Sequence, residues 1–198
     1  MQLALIARHG QSVLNVEGLV NGDPARDLGL SDLGREEAEG LGRQIAGIAV
    51  DFCITSLFPR AQQTAHIALG RVPDLVDGGL NDVQVGELEG RTLADYRAWK
   101  RAHTRDDAFP GGESLNDAAR RYADAFERVL ARPEPTWLVV CHEIPVRYVV
   151  NAAAGSGDLD APLHDVANAS PYVFDAAGLR RGIEGMRRLA STEHVERA

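Results

Sequence analysis

Apolar positions follow two alternating rhythms along the chain. The run Leu3-Ala4-Leu5-Ile6-Ala7 is apolar throughout and short, as in a strand covered on both faces, and it predicts a first strand over Gln2 to Ala7. From Ser31 the rhythm becomes helical. Ala38, Leu41, Ile45 and Ile48 share one face at three- and four-residue spacing, with Ser31 placed to cap the helix. Asp51 to Ser56 reads as a second strand, and Pro59 suits the first turn of a helix carrying Ala61, Ala65 and Ala68. Thr92 can cap a short helix through Trp99. Ser114 and Asp117 make a capping pair ahead of the long stripe Leu115, Ala118, Tyr122, Phe126, Val129 and Leu130. Thr136 to Cys141 is a third buried strand, followed by a helix from about Pro145 to Ala153. The tail past Gly178 is polar and Arg-rich, with at most a short helix near Ile183 to Leu189. Strands alternating with helices predict an α/β fold built on a largely parallel sheet.

The stretches Glu17 to Gly29 and Lys100 to Gly112 read as long loops, which in compact proteins often carry function. Each of the three strands ends beside a residue with chemistry to offer: His9, Arg60 and His142. Ligand sites of open α/β sheets lie at the C-terminal ends of strands.

Composition narrows the reading. At 198 residues the chain fits one domain spanning 1–198, with enough length for a real core. A formal net charge of -8 argues against nucleic acid as the main partner but leaves room for a small anion held by a local arginine cluster. Cys53 and Cys141 each sit inside an apolar run and read as small buried residues of a reducing compartment. No spacing suggests a zinc site. With no signal-peptide pattern and no apolar run long enough to span a membrane, the expected location is cytoplasmic.

By itself Arg8-His9-Gly10 reads first as a strand-to-turn boundary. Its weight comes from its partners. Phosphoryl transfer through histidine needs a neutral imidazole to attack, donors around the phosphoryl oxygens, and an acid for the leaving alcohol. The chain carries all of these in separate segments.

Those segments resemble the histidine phosphatase superfamily, which includes the cofactor-dependent phosphoglycerate mutases. Leu5 to Asn15 matches the pattern of an apolar strand, Arg-His-Gly, any residue, Ser or Thr, two more residues, then Asn. Leu30 to Gly34, Ser56 to Ala65, Leu80 to Asp82 with Gly86 to Gly90, Gly111 to Ser114 and Val139 to His142 are similar to further blocks, in family order. The resemblance implies a three-layer α/β/α sandwich. It implies His9 as the nucleophile and Arg8, Arg60 and His142 as the pocket around the phosphoryl group. Asn15 and the Gly10 backbone would be added substrate contacts, and Asp82 the general acid. Asp82 is favoured over Glu87 and Glu89, which read as structural. Ser12 and Asn15 could also simply cap a turn. His66, His103, His164 and His194 fit no block and read as surface or core residues. No metal or other cofactor is implied.

Two positions depart from the family. Glu143 follows His142 where glycine is usual, and a carboxylate there opposes anion binding. It is expected either to pair with Arg147 or to meet a polar or cationic part of the substrate. Leu88 stands where Trp is frequent. Specificity is expected from Glu143 and from loop side chains such as Asp23, Arg26, Arg101, His103 and Arg105. The leading expectation is a phosphomonoesterase acting on a small phosphorylated metabolite through phosphohistidine. A phosphoglycerate mutase-type transferase comes second, because 198 residues leaves little room for the insertions that shield a mutase intermediate. A non-catalytic phospho-ligand binder comes third. Family members often pair, so a homodimer is an open expectation.

Overall fold

The computed structural model describes residues 2–191. In chain order its elements are β1 (Leu3–Arg8), α1 (Val13–Val16), α2 (Asp32–Ile45), β2 (Phe52–Thr55), α3 (Pro59–Leu69), β3 (Leu75–Val76), α4 (Leu93–Ala102), α5 (Leu115–Leu130), β4 (Thr136–Cys141), α6 (Glu143–Ala153), β5 (Pro171–Phe174) and α7 (Ala176–Ala190). The strands form one sheet in the order β3-β2-β4-β1-β5. β1 to β4 run parallel, and β5 joins the edge antiparallel to β1.

Alternate residues of the central strands feed two cores. Ala4, Ile6, Trp137, Val139 and Cys141 pack against α5, α6 and α7. Leu5, Ala7, Cys53, Leu138 and Val140 pack against α2 and α3 on the other face. The sheet is therefore covered on both sides, which is why its strands read as continuous apolar runs. Both cysteines are buried, and burial pushes the Cys53 thiol up to about 12. Among the described residues, no helix is long and apolar enough to cross a membrane.

The capping residues act as their chemistry suggests. Ser31 Oγ accepts from Gly34 N at the start of α2, and Ser12, Thr92 and Ser114 each close a reciprocal capping box. Ile48 falls beyond the end of α2.

The largest difference from the sequence reading is α7. It is a full 15-residue helix capped by Asp175, and it packs on α5 and α6. Its periodicity is masked by glycine. A Cβ on Gly182 would lie 2.7 Å from Val149 Cγ2, and one on Gly185 would lie 2.9 Å from Ala152 Cβ. The helices touch where the pattern shows no large apolar residue. β3 and β5 also escaped the pattern. They are short edge strands; β3 is exposed, and β5 buries Phe174 alone and opens on a proline. His194 lies outside the described residues.

Candidate active site

Parallel pairing of β1 with β4 sets Arg8 opposite Cys141, so the next residues, His9 and His142, emerge together. Their rings meet edge-on with centroids 5.1 Å apart. β2 pairs on the other side of β4 and leads through Ser56 and Phe58 into α3, whose second residue is Arg60. Three strand ends thus converge on one point.

His9 is held from several sides. Its N–H donates to Cys141 O at 2.9 Å, and Asn168 Nδ2 donates to its carbonyl at 2.7 Å. The ring Nδ1 lies 2.6 Å from the Gly10 carbonyl. A carbonyl only accepts, so Nδ1 carries the proton and the Nε2 lone pair is free to act as a nucleophile. That nitrogen accepts from Arg60 Nε at 3.0 Å. Burial, then the charges of Arg60 and Arg8, hold the His9 pKa well below the ordinary histidine range. The Nε2 nitrogen is therefore unprotonated at neutral pH.

Arg60 is the hub. Its guanidinium bonds His9 through Nε, reaches His142 Nδ1 from Nη2 at 3.2 Å, and donates from Nη1 to the Asn21 side chain and to Asp27 Oδ1 at 3.2 Å. Phe58 lies under it, with the ring centroid 4.1 Å from Cζ. Asp27 also accepts the Arg60 backbone N–H at 2.8 Å. Neither Asn21 nor Asp27 was expected from the sequence. Both come from the 17–29 loop, which has no periodicity to mark them, although an Asn and an Asp in a loop facing an arginine signature are the residue types that would hold it.

His142 is fully buried and backs Arg60 instead of opening on the cleft. Because Arg60 only donates, His142 Nδ1 accepts, and Nε2 gives its proton to Ser56 Oγ at 2.8 Å. Burial and the charge of Arg60 lower its pKa well below the usual range too.

Asp82 Oδ2 lies 3.8 Å from Arg60 Nη2 and 3.7 Å from His142 Nδ1, with the side chain a quarter exposed. Burial raises its pKa and the nearby Glu143 charge adds to this, against the pull of Arg60. A carboxyl so disposed holds its proton to higher pH than a free aspartate does. Glu89 instead accepts from Asn21 Nδ2 and from the backbone N–H groups of Gly22 and Asp23, a structural role.

Beside Arg60 lies a cleft of about 390 Å³. Arg8, His9, Asn15, Arg60, Asp82 and Glu143 all border it. Asn15 does so while its Oδ1 accepts from Ser12 N at 3.1 Å, so the cap and the cleft share one side chain. Gly10 is a correction. It lies outside the lining, and its N–H is donated to Thr64 Oγ1 at 3.0 Å. The loop side chains also need correcting. Asp23, Arg26, Arg101, His103 and Arg105 do not border the cleft, whereas Tyr96, Arg97, Lys100, Arg147, His164 and Asp165 do. Helix α4 extends through Ala102 and turns Arg97 and Lys100, not Arg101, toward the site. His164 is thus a wall residue and not a bystander. Glu143 makes the expected pair with Arg147 and a second pair with Arg8. Its Oε1 pairs with Arg147 Nη1 at 3.0 Å and its Oε2 with Arg8 Nη1 at 3.1 Å, while it still faces the cleft.

The chain belongs to the histidine phosphatase superfamily, branch 1, whose family model matches residues 4–187. Over 191 residues it is 34% identical to a 2,3-bisphosphoglycerate-dependent phosphoglycerate mutase of Beijerinckia indica subsp. indica, covering 87% of this chain and 91% of that protein. A protein of the same description from Methylobacterium sp. (strain 4-46) is 38% identical over 61% of this chain and 64% of its own length. Among solved structures, the mycobacterial glucosyl-3-phosphoglycerate phosphatase in complex with VO3 superposes with a TM-score of 0.70 at 28% identity, over 87% of this chain and 92% of that one.

The two buried histidines set a pH dependence of stability. Their folded pKa values lie below the unfolded value, so the unfolded chain binds protons that the folded one does not. Stability is present above about pH 6.5 and is lost as pH falls, by up to about 1.4 kcal/mol per histidine per pH unit. Asp82 acts in the opposite sense and offsets part of this. The melting temperature should fall steadily between pH 7 and pH 5 in a thermal melt series. A flat or rising profile would contradict neutral, buried histidines.

Proposed function

We propose that the protein is a phosphomonoesterase that hydrolyses a small phosphorylated metabolite through a phosphohistidine on His9. The observation that carries this reading is the His9 Nε2 lone pair, held unprotonated against Arg60 with the raised-pKa carboxyl of Asp82 across the same guanidinium. Arg8 and Arg60 draw the phosphoryl oxygens, and the Arg60 Nε–H passes from the nucleophile to the phosphoryl group as His9 attacks. The P–O bond to the alcohol breaks as N–P forms, and Asp82 gives its proton to the leaving oxygen. Asp82, now a carboxylate, takes a proton from water, whose oxygen attacks phosphorus and releases His9 and inorganic phosphate. His142 holds the Arg60 guanidinium in place through both halves.

The second reading is a mutase, and the names of the relatives favour it. Chain length does not separate the two as the sequence alone suggested, because the chain covers 91% of the Beijerinckia mutase. In favour of hydrolysis, the Asp82 side chain is a quarter exposed, within reach of the water it must activate.

The test is product analysis. Purified protein should release inorganic phosphate from p-nitrophenyl phosphate and from a panel of sugar, glycerate and nucleotide phosphates. It should form no 2-phosphoglycerate from 3-phosphoglycerate, even with a bisphosphate primer. Isomerisation faster than phosphate release would move the assignment to the mutase.

A further inference from the structure

The wall beside the phosphoryl site carries an alternating row of charges. Arg8 at the end of β1 pairs with Glu143 at 3.1 Å, and Glu143 pairs with Arg147, one turn on along α6, at 3.0 Å. Arg147 Nη2 lies 3.1 Å from Asp160 Oδ1, and Lys100 Nζ on α4 lies 3.7 Å from the same oxygen. Without Glu143, Arg8 and Arg147 would present two guanidinium groups side by side at the cleft, suited to a second anion on the same substrate. Glu143 stands between them with its side chain one-third exposed and bordering the cleft, so the group facing a bound ester at this point is a carboxylate. Further round the cleft, Arg97, Lys100, His164 and Asp165 also stand on its border. Val20, Val83, Val85 and Ile144 are apolar, and the buried Tyr96 hydroxyl has no protein hydrogen-bond partner among the described residues.

We propose that Glu143 is a specificity-determining residue, which directs the site toward phosphate monoesters whose leaving alcohol carries no second anion near the phosphoryl group. The inference rests on the reading of Arg8, His9 and Arg60 as a phosphoryl site. A substrate carboxylate at the Arg8–Arg147 wall would meet a like charge, whereas a hydroxyl there meets a hydrogen-bond acceptor. The same carboxylate adds to burial in raising the Asp82 pKa.

Glycerol 3-phosphate and 3-phosphoglycerate test this directly, since they differ only in a hydroxymethyl against a carboxylate. Both are titrated calorimetrically into the His9→Ala protein, with Glu143 intact, as Glu143→Gln and as Glu143→Asp. Turnover of both by protein with His9 present is measured in parallel. With Glu143 intact, glycerol 3-phosphate should bind more tightly. Glu143→Gln should shift the ratio of the two dissociation constants about tenfold toward 3-phosphoglycerate, the size of one screened charge contact. Glu143→Asp keeps the charge and should keep the ratio within about threefold. An unchanged ratio in Glu143→Gln, an equal shift in Glu143→Asp, or a preference for 3-phosphoglycerate with Glu143 intact overturns the proposal. The parallel assay separates the two ideas. A shifted ratio with no phosphate release sinks the hydrolase reading alone, and phosphate release with an unshifted ratio sinks only the role of Glu143.

Discussion

Alanine in place of His9 should lower phosphate release by at least about 10⁴-fold, because it removes the atom to which the phosphoryl group is transferred. The alternative of direct attack by water, with Arg8, Arg60 and Asp82 intact, keeps much of the electrostatic catalysis and would cost far less. The size of the loss therefore distinguishes covalent from direct hydrolysis. Substrate binding should suffer little. Arg60 loses one of its acceptors, but Asn21, Asp27 and His142 still fix it. Acid-sensitive, base-stable label from ³²P-substrate should appear on wild type after rapid quench and be absent from His9→Ala. A variant within tenfold of wild type, or one that still takes up label, would move the nucleophile elsewhere.

The parts of this site that the sequence discloses are those attached to regular elements. Arg8 and His9 end a strand whose apolar run is unbroken, Arg60 follows a proline at the start of a helix, and His142 ends another strand. Periodicity fixes such elements, and parallel pairing then fixes which ends meet. What stays hidden has no periodicity to report it. Asn21 and Asp27 belong to a loop placed by its contacts with Arg60, and the first signal of their role is three-dimensional. Asn168 is hidden for the same reason, since its hold on the His9 carbonyl spans most of the chain. The tail was misread because Gly182 and Gly185 supply a packing face that hydrophobic patterning scores as empty. His142 is legible at its strand end, but its full burial is not. A spacing rule locates a Cα; it does not say that the ring will be fully buried with its Nδ1 on a guanidinium.

Gly10 shows the same limit and carries the other large expected effect. Its residue type suggested a backbone yielding to an anion, but the constraint comes from a different neighbour. A Cβ on Gly10 would lie 2.3 Å from Gly34 O, and a Cβ on Gly34 would lie 2.0 Å from Gln11 O. The turn after β1 and the first turn of α2 are in backbone contact, tied further by Ser31 N to Gln11 O at 2.9 Å and by Gln11 N to Glu37 Oε2 at 2.7 Å. Backbone cannot move aside as a flexible side chain can, so Gly10→Ala must push α2 away from the turn that presents His9. The expected cost is about 3 kcal/mol, or roughly 6–12 °C in melting temperature for a chain of this size. Gly34→Ala relieves nothing and should cost about as much, although Gly34 does not border the cleft. That equivalence is the discriminating result. If packing is the whole reason for Gly10, both variants lower the melting temperature together and depress kcat through a displaced His9, with phosphate affinity changed alike. If Gly10 weakens phosphate binding tenfold or more while Gly34→Ala leaves it intact, the glycine contacts the ligand after all.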